Sequence, residues 1–218
     1  MEDDLLRRLS DLIEDGKASR TINKGQDGVD ELTARALQSG VPPSEVLGAM
    51  LVGMTAIGRR FTEGTAFVPS MLLAARAMKA GMAHLKPYFS SGAIECRGTL
   101  VVGTVFGDLH DIGKNLLAMM VEGAGWQVVD LGVDVQPSQF LAALDAHPNA
   151  VVGVSALLTT TMGNMREVVK TLRDASPVNR IIVGGAPLTP VFADDINADG
   201  YAPTPTEAIT LLNTWVTH

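Results

Sequence analysis

The sequence predicts an α/β chain in two parts: an N-terminal helical bundle over residues 1–88 and, after a linker at 89–97, a parallel β-sheet wrapped by helices over 98–218. Three observations carry this. Apolar residues recur at helical spacing through the first part, and short β-rich runs alternate with helical stretches through the second. The charge also divides between them. Residues 1–97 hold 12 acidic and 12 basic side chains and residues 98–218 hold 12 acidic and 5 basic, so the whole net charge of -7 falls in the second part.

In the first part, Leu5, Leu9, Leu12 and Ile13 make one stripe, and Val29, Leu32, Ala36 and Leu37 a second. A third runs through Val46, Leu47, Met50, Leu51, Met54, Ile57 and Phe61. The fourth starts near Pro69, which suits a first helical turn, and continues through Met71, Leu72, Ala75, Met78, Met82 and Leu85 until Pro87 is expected to stop it. This is a bundle of four or five helices. Ser90-Ser91-Gly92 and its surroundings lack periodicity and read as the linker.

Beyond it, strands are expected at Thr99 to Val105, Gln127 to Leu131, Ala150 to Val154 and Arg180 to Val183. Helices are expected at about Lys114 to Gly123, Pro137 to Ala146, Thr161 to Ala175, Pro190 to Ile196 and Pro205 to Val216. Five βα units with right-handed crossovers point to a flavodoxin-like (Rossmann-type) five-stranded parallel sheet of order 2-1-3-4-5. In that order the loops after strands 1 and 3 lie side by side and open a crevice.

Those two loops hold the candidate chemistry. The run Gly107-Asp108-Leu109-His110-Asp111-Ile112-Gly113-Lys114-Asn115 places a histidine at the mouth of a strand-to-helix turn, flanked by two aspartates. Asp108 can accept the second imidazole N–H, which fixes the tautomer and raises the basicity of the outward nitrogen. One histidine does not make a closed zinc site, and the lone Cys96 precedes the first strand. A metal at His110 would draw most of its coordination from something other than protein, as a macrocycle provides; the same histidine would also suit a helix cap. Ser155 and the run Thr159-Thr160-Thr161 in the second loop can donate into the crevice or cap the next helix. Gly184-Gly185 after the fourth strand permits close approach of backbone to a bound group, or a plain turn. Phosphate-loop and dinucleotide fingerprints are lacking, and the methionine-rich helices read as core.

Composition bounds the function. With 218 residues and 46% hydrophobic side chains a sizeable core is available. The acidic second part makes nucleic acid a poor partner. The longest apolar-leaning stretch, Phe67 to Met78, contains Pro69 and Arg76 and falls short of the roughly 18 residues of a membrane span. A single cysteine and the lack of a leader-like N-terminus fit a reducing cytoplasm.

Taken together, Asp108-x-His110-x-x-Gly113, Ser155-x-Leu157 and Gly184-Gly185 resemble the signature of the cobalamin-binding domain of methionine synthase and of the small corrinoid proteins of methyl-transfer systems. Val129 to Asp134, Ala186-Pro187 and Ala198 to Ala202 resemble that family too, and Gly58 to Pro69 resembles a turn in its helical cap. The resemblance implies cobalamin or a related corrinoid such as methylcobalamin, its cobalt taking His110 as lower axial ligand. Its displaced dimethylbenzimidazole tail would thread into a slot lined by Ser155, Leu157, Thr159, Gly184 and Gly185, with Gly107, Leu109, Asp111, Ile112 and Gly113 shaping the loop about the cofactor. Asp108 would hydrogen-bond His110, and Thr161, where methionine synthase has Ser, would complete the relay. Phe61 and Val68 would cover the upper, methyl-bearing face.

The implied function is a methyl carrier. A donor-side methyltransferase would load the methyl from a methylamine, methanol, a betaine or a methoxyaromatic compound, an acceptor-side one would pass it to tetrahydrofolate or a thiol, and a reductive activase would be a further partner. Three rivals share parts of the pattern. A cobalamin- or light-sensing regulator is expected to carry Trp and His near the upper face of its cap, whereas Trp126 and Trp215 both lie in the second part. A mutase subunit ordinarily lacks the cap. A flavin binder would want a first loop rich in Ser and Thr.

Overall fold

In the computed structural model, which describes residues 2–94 and 96–215, the chain divides into two units, Met1–Cys96 with Glu122–Gly125, and Arg97–Val121 with Trp126–His218. Glu95, within the linker segment, and Val216, the expected end of the last helix, lie outside the described residues.

The first unit has four α-helices among its described residues: α1 (Glu2–Glu14), α2 (Val29–Gln38), α3 (Pro43–Thr62) and α4 (Val68–Ser90). α1 packs on α3, α3 on α4 and α2 on α4. The stripes explain the packing, because Leu9, Ile13, Val29, Leu32, Val46, Met50, Ile57, Met71, Met78 and Leu85 are all buried. α2 is opened by the Glu31 carboxylate, which accepts the Gly28 N–H at 2.9 Å. One expectation fails here. Pro87 does not stop α4, which runs on to Ser90. Proline removes its own N–H and crowds the turn before it, yet its φ suits a helix and its carbonyl still accepts. Ser91 N donates to Pro87 O at 3.0 Å, and Ala93 N to Tyr88 O at 2.9 Å, so the helix closes one turn later.

The second unit is a five-stranded parallel sheet of order β2-β1-β3-β4-β5. Its strands are β1 (Thr99–Thr104), β2 (Gln127–Asp130), β3 (Val151–Ser155), β4 (Ile181–Gly184) and β5 (Gly200–Tyr201). The helices are α5 (Ile112–Gly123), α6 (Pro137–Ala146), α7 (Met162–Ala175), α8 (Pro190–Asp195) and α9 (Pro205–Trp215), with a 3₁₀ turn at Thr159–Thr161 before α7. Val101 and Val105 on one sheet face join Phe140, Leu144, Met165, Val168 and Leu172 of α6 and α7 in one core. The other face presents Leu100, Val102 and Thr104, alternating as a strand requires. Register aligns Val102 with Gly153 and Gly153 with Ile182, then Thr104 with Ser155 and Ser155 with Gly184. Two glycines therefore leave the Thr104 face low where β3 and β4 end. Among the described residues no helix is long and apolar enough to cross a membrane.

Candidate functional site

The site forms at the carboxyl edge of β1, β3 and β4, where the strand order reverses. β1 ends at Thr104 rather than Val105, which instead makes an isolated parallel bridge to Val135. Gly107 then turns the chain at φ +78°, a conformation an L side chain resists, and its N–H donates to Asp134 Oδ1 at 2.7 Å. Asn164 Nδ2 donates to Phe106 O at 2.6 Å, so the loop is tied down on both sides of its first bend.

Asp108 is fully buried, and the hydrogen bonds its carboxylate accepts all come from the two loops of the site. Its Oδ1 accepts the His110 ring Nδ1–H at 2.8 Å and the His110 backbone N–H at 3.1 Å. Its Oδ2 accepts Leu157 N–H at 2.8 Å, Leu158 N–H at 3.3 Å and the Thr161 hydroxyl at 2.8 Å. One carboxylate thus joins the β1 and β3 loops. Burial pushes its pKa up, but the hydrogen bonds from Leu157, the His110 ring, Thr161 and the His110 backbone outweigh that and hold it far below the usual carboxylate range. A carboxylate that stays ionised only accepts, so Nδ1 carries a proton, and in the neutral ring Nε2 is then the nitrogen with the lone pair. The His110 side chain is 49% exposed, and Nε2 has no hydrogen-bond partner among the described residues. Leu109 and Ile112, 72% and 77% exposed, flank it with apolar surface.

Below His110 a cavity of about 550 Å³ enters between the sheet and helices α5 and α9. Leu109, His110, Asp111, Ile112, Gly113, Ser155, Leu157, Gly184 and Gly185 line it. Gly185 is required by contact: a Cβ there would sit 1.8 Å from Ala156 O, at φ +138°. Thr159, expected in the slot, is not among the lining residues. The 3₁₀ turn leaves it exposed on the outside of the bend while it turns Thr161 inward to Asp108. Gly107 likewise acts in the turn and not in the cavity wall. Phe61, half-buried near the end of α3, and Val68, 41% exposed at the start of α4, belong to the first unit. Phe67 between them is 70% exposed.

Sequence reasoning missed Thr104. Its buried hydroxyl donates to His110 O at 3.0 Å and shares a 2.8 Å hydrogen bond with Ser155 Oγ, so it sets the height of the histidine above the sheet. The available signal was a hydroxyl directly after the apolar run Leu100 to Gly103, at the strand end that feeds the histidine loop. Lys114 has a structural part that its place in the loop does not reveal: its ammonium is buried against Asp130 at 2.6 Å and Asn115 Oδ1 at 2.7 Å, holding the first turn of α5 to the end of β2.

An imidazole with a fixed tautomer, one free nitrogen and an apolar surround is a donor for a metal. Among the described residues no group of three or more His, Cys, Asp or Glu could hold a metal ion, so a metal bound there has to bring its other ligands with it.

Comparison with known proteins fits this geometry. A family model described as a B12 binding domain matches residues 98–210, and a second with the same description matches residues 5–86. A corrinoid protein of Desulfitobacterium hafniense is 38% identical over 201 residues, 88% of this chain and 92% of that one. Trimethylamine corrinoid protein 1 of Methanosarcina mazei is 39% identical over 184 residues, covering 82% and 85%. The crystal structure of the methanol:cobalamin methyltransferase complex of Methanosarcina barkeri contains a chain that superposes with a TM-score of 0.83 at 29% identity, over 99% of this chain and 81% of that one.

Proposed function

We propose a methyl carrier from one premise: this chain belongs to the B12-binding domain family, and its cofactor is cobalamin or a related corrinoid. When bound, the corrinoid supplies a cobalt that accepts and gives up a methyl group. The chain's residues fit such a group in three respects. His110 would hold the metal through one ring nitrogen, with the remaining coordination supplied by the bound group itself. Leu109 and Ile112 offer an apolar ledge beside it. The cavity below, within the roughly 300–1,000 Å³ range of small-molecule sites, has room for a detached nucleotide tail.

In this reading His110 Nε2 would be the protein's ligand to the cobalt, in place of the cofactor's own base, and Asp108 holds the imidazole in the tautomer that leaves Nε2 free. The carboxylate serves both halves of a cycle: it makes the neutral imidazole a stronger donor and would stabilise the imidazolium if the ring were released and protonated. Thr161 and the Leu157 N–H keep the carboxylate in place. Phe61 and Val68 would shield the upper face. A substrate-specific methyltransferase would load the carrier and a second would unload it, with a reductive activase serving oxidised cofactor; the likeness to a trimethylamine corrinoid protein and to a chain of a methanol:cobalamin methyltransferase complex supports a methyltransferase as partner.

The observation that carries the reading is the 2.8 Å Asp108–His110 contact with Nε2 left free. Reconstitution tests it: the chain should take up a corrinoid whose own base is detached, and His110→Gly should abolish the imidazole signature. Protein that stays colourless, or takes up flavin instead, would overturn it.

A further inference from the structure

The cavity changes character with depth. Its mouth, at the ends of the strands, holds polar side chains, among them His110, Ser155 and Thr204. One row further into the sheet and one turn further along the helices, the wall is Val102, Gly153 and Ile182 from the strands, Leu117 from α5 and Ala208 from α9. None of these side chains can donate or accept a hydrogen bond. The strand backbones are already paired in the parallel ladder, and Leu117 and Ala208 lie inside helices whose backbone bonds are internal. Val102, Ile182 and Ala208 are buried, so the inner end is closed as well as apolar.

A polar atom carried to that end loses its water and finds no partner, whereas a methyl group gains contact at no such cost. Resting on the reading that the nucleotide tail enters this cavity, we infer that its inner end selects the corrinoid by the polarity of its lower base. Methylated benzimidazole is taken, hydroxylated benzimidazole is disfavoured, and aminopurine, with an exocyclic amine and additional ring nitrogens, is disfavoured most. Val102 and Ala208 set the preference.

The test uses the full chain with four probes: cobalamin, its 5-hydroxybenzimidazole and adenine analogues, and cobinamide, which has no nucleotide tail. Free cobamides differ in how readily they release their own base, so each dissociation constant is corrected by that equilibrium measured on the cofactor alone. The series is repeated in Val102→Thr, which keeps the branched shape, and in Ala208→Ser, where differences intrinsic to the cofactors cancel against the unaltered chain. The expected result is a corrected affinity for the adenine form about tenfold or more below that for cobalamin, the hydroxylated form between, and a gap that narrows in at least one variant. Equal corrected affinities overturn the inference, as does a gap unchanged in both variants while they still bind cobalamin. Cobinamide binding as tightly as cobalamin would overturn it while leaving ligation by His110 standing. Failure of every corrinoid to bind the unaltered chain would bring down the function beneath it as well.

Discussion

The second unit sets an aspartate at each edge of its sheet, Asp108 fully buried and Asp199 half-buried, and the two have different companions. At the amino edge Asp199 accepts the Ile181 N–H at 2.7 Å, pairs with Arg173, and meets Arg180 at 2.9 Å. At the carboxyl edge Asp108 accepts the Leu157 N–H at 2.8 Å and pairs with His110. In both, a carboxylate fastens one loop to the next, and in both hydrogen bonds to the ionised form outweigh burial and lower its pKa. Arginine cannot lose its proton and directs its N–H groups at the carboxylate, so the Asp199 cluster is closed and serves stability. Histidine uses one nitrogen on the carboxylate and keeps the other. The same device becomes a site when its cation is exchanged for a group with a free end.

Breaking each aspartate separates the two roles. Asp199→Asn leaves two arginines facing a weaker acceptor and should lower the unfolding free energy by about 3 kcal/mol, read in urea, with the spectrum of bound corrinoid unchanged. Asp108→Asn should give the reverse emphasis. An amide can donate to Nδ1 as readily as accept from it, so the tautomer is no longer fixed and corrinoid affinity should fall roughly 10–100-fold. Equal loss of stability and cofactor affinity in both variants would erase the distinction.

Acid sharpens the comparison more gently. Both carboxylates have folded-state pKa values below the unfolded one, so the stability each contributes is present in full above about pH 4, the ordinary aspartate value, and is lost as pH falls from there toward the lowered folded-state values. Unfolding titrations should therefore show little dependence on these groups from pH 5 to 7 and a steep decline below about pH 4. Each Asn variant should flatten part of that decline.

Much of this was legible in the chain. The helical stripes and the βα alternation placed most of the elements, because burial enforces period 3.6 in one unit and strand runs in the other. β5 left no pattern of its own: two residues, Gly200 and Tyr201, are too few to alternate, and only pairing with β4 defines them. α5 starts at Ile112, two residues before the expected Lys114, because the Asn115 N–H already donates to Asp111 O at 2.7 Å, a backbone bond that no apolar stripe records. His110 and Asp108 stood out because their spacing lets one side chain reach the other. Thr104 did not, since its two partners lie six and fifty-one residues away and meet only when the strands pair.

The central claim is that the protein's imidazole, rather than the cofactor's own base, ligates the metal. Electron paramagnetic resonance of the Co(II) form, with ¹⁵N in the histidine rings and a natural-abundance corrinoid, tests it most directly. Ligation by His110 gives superhyperfine lines that change from triplets to doublets on labelling and vanish in His110→Gly. Triplets that persist in labelled protein would assign the nitrogen to the cofactor and contradict it.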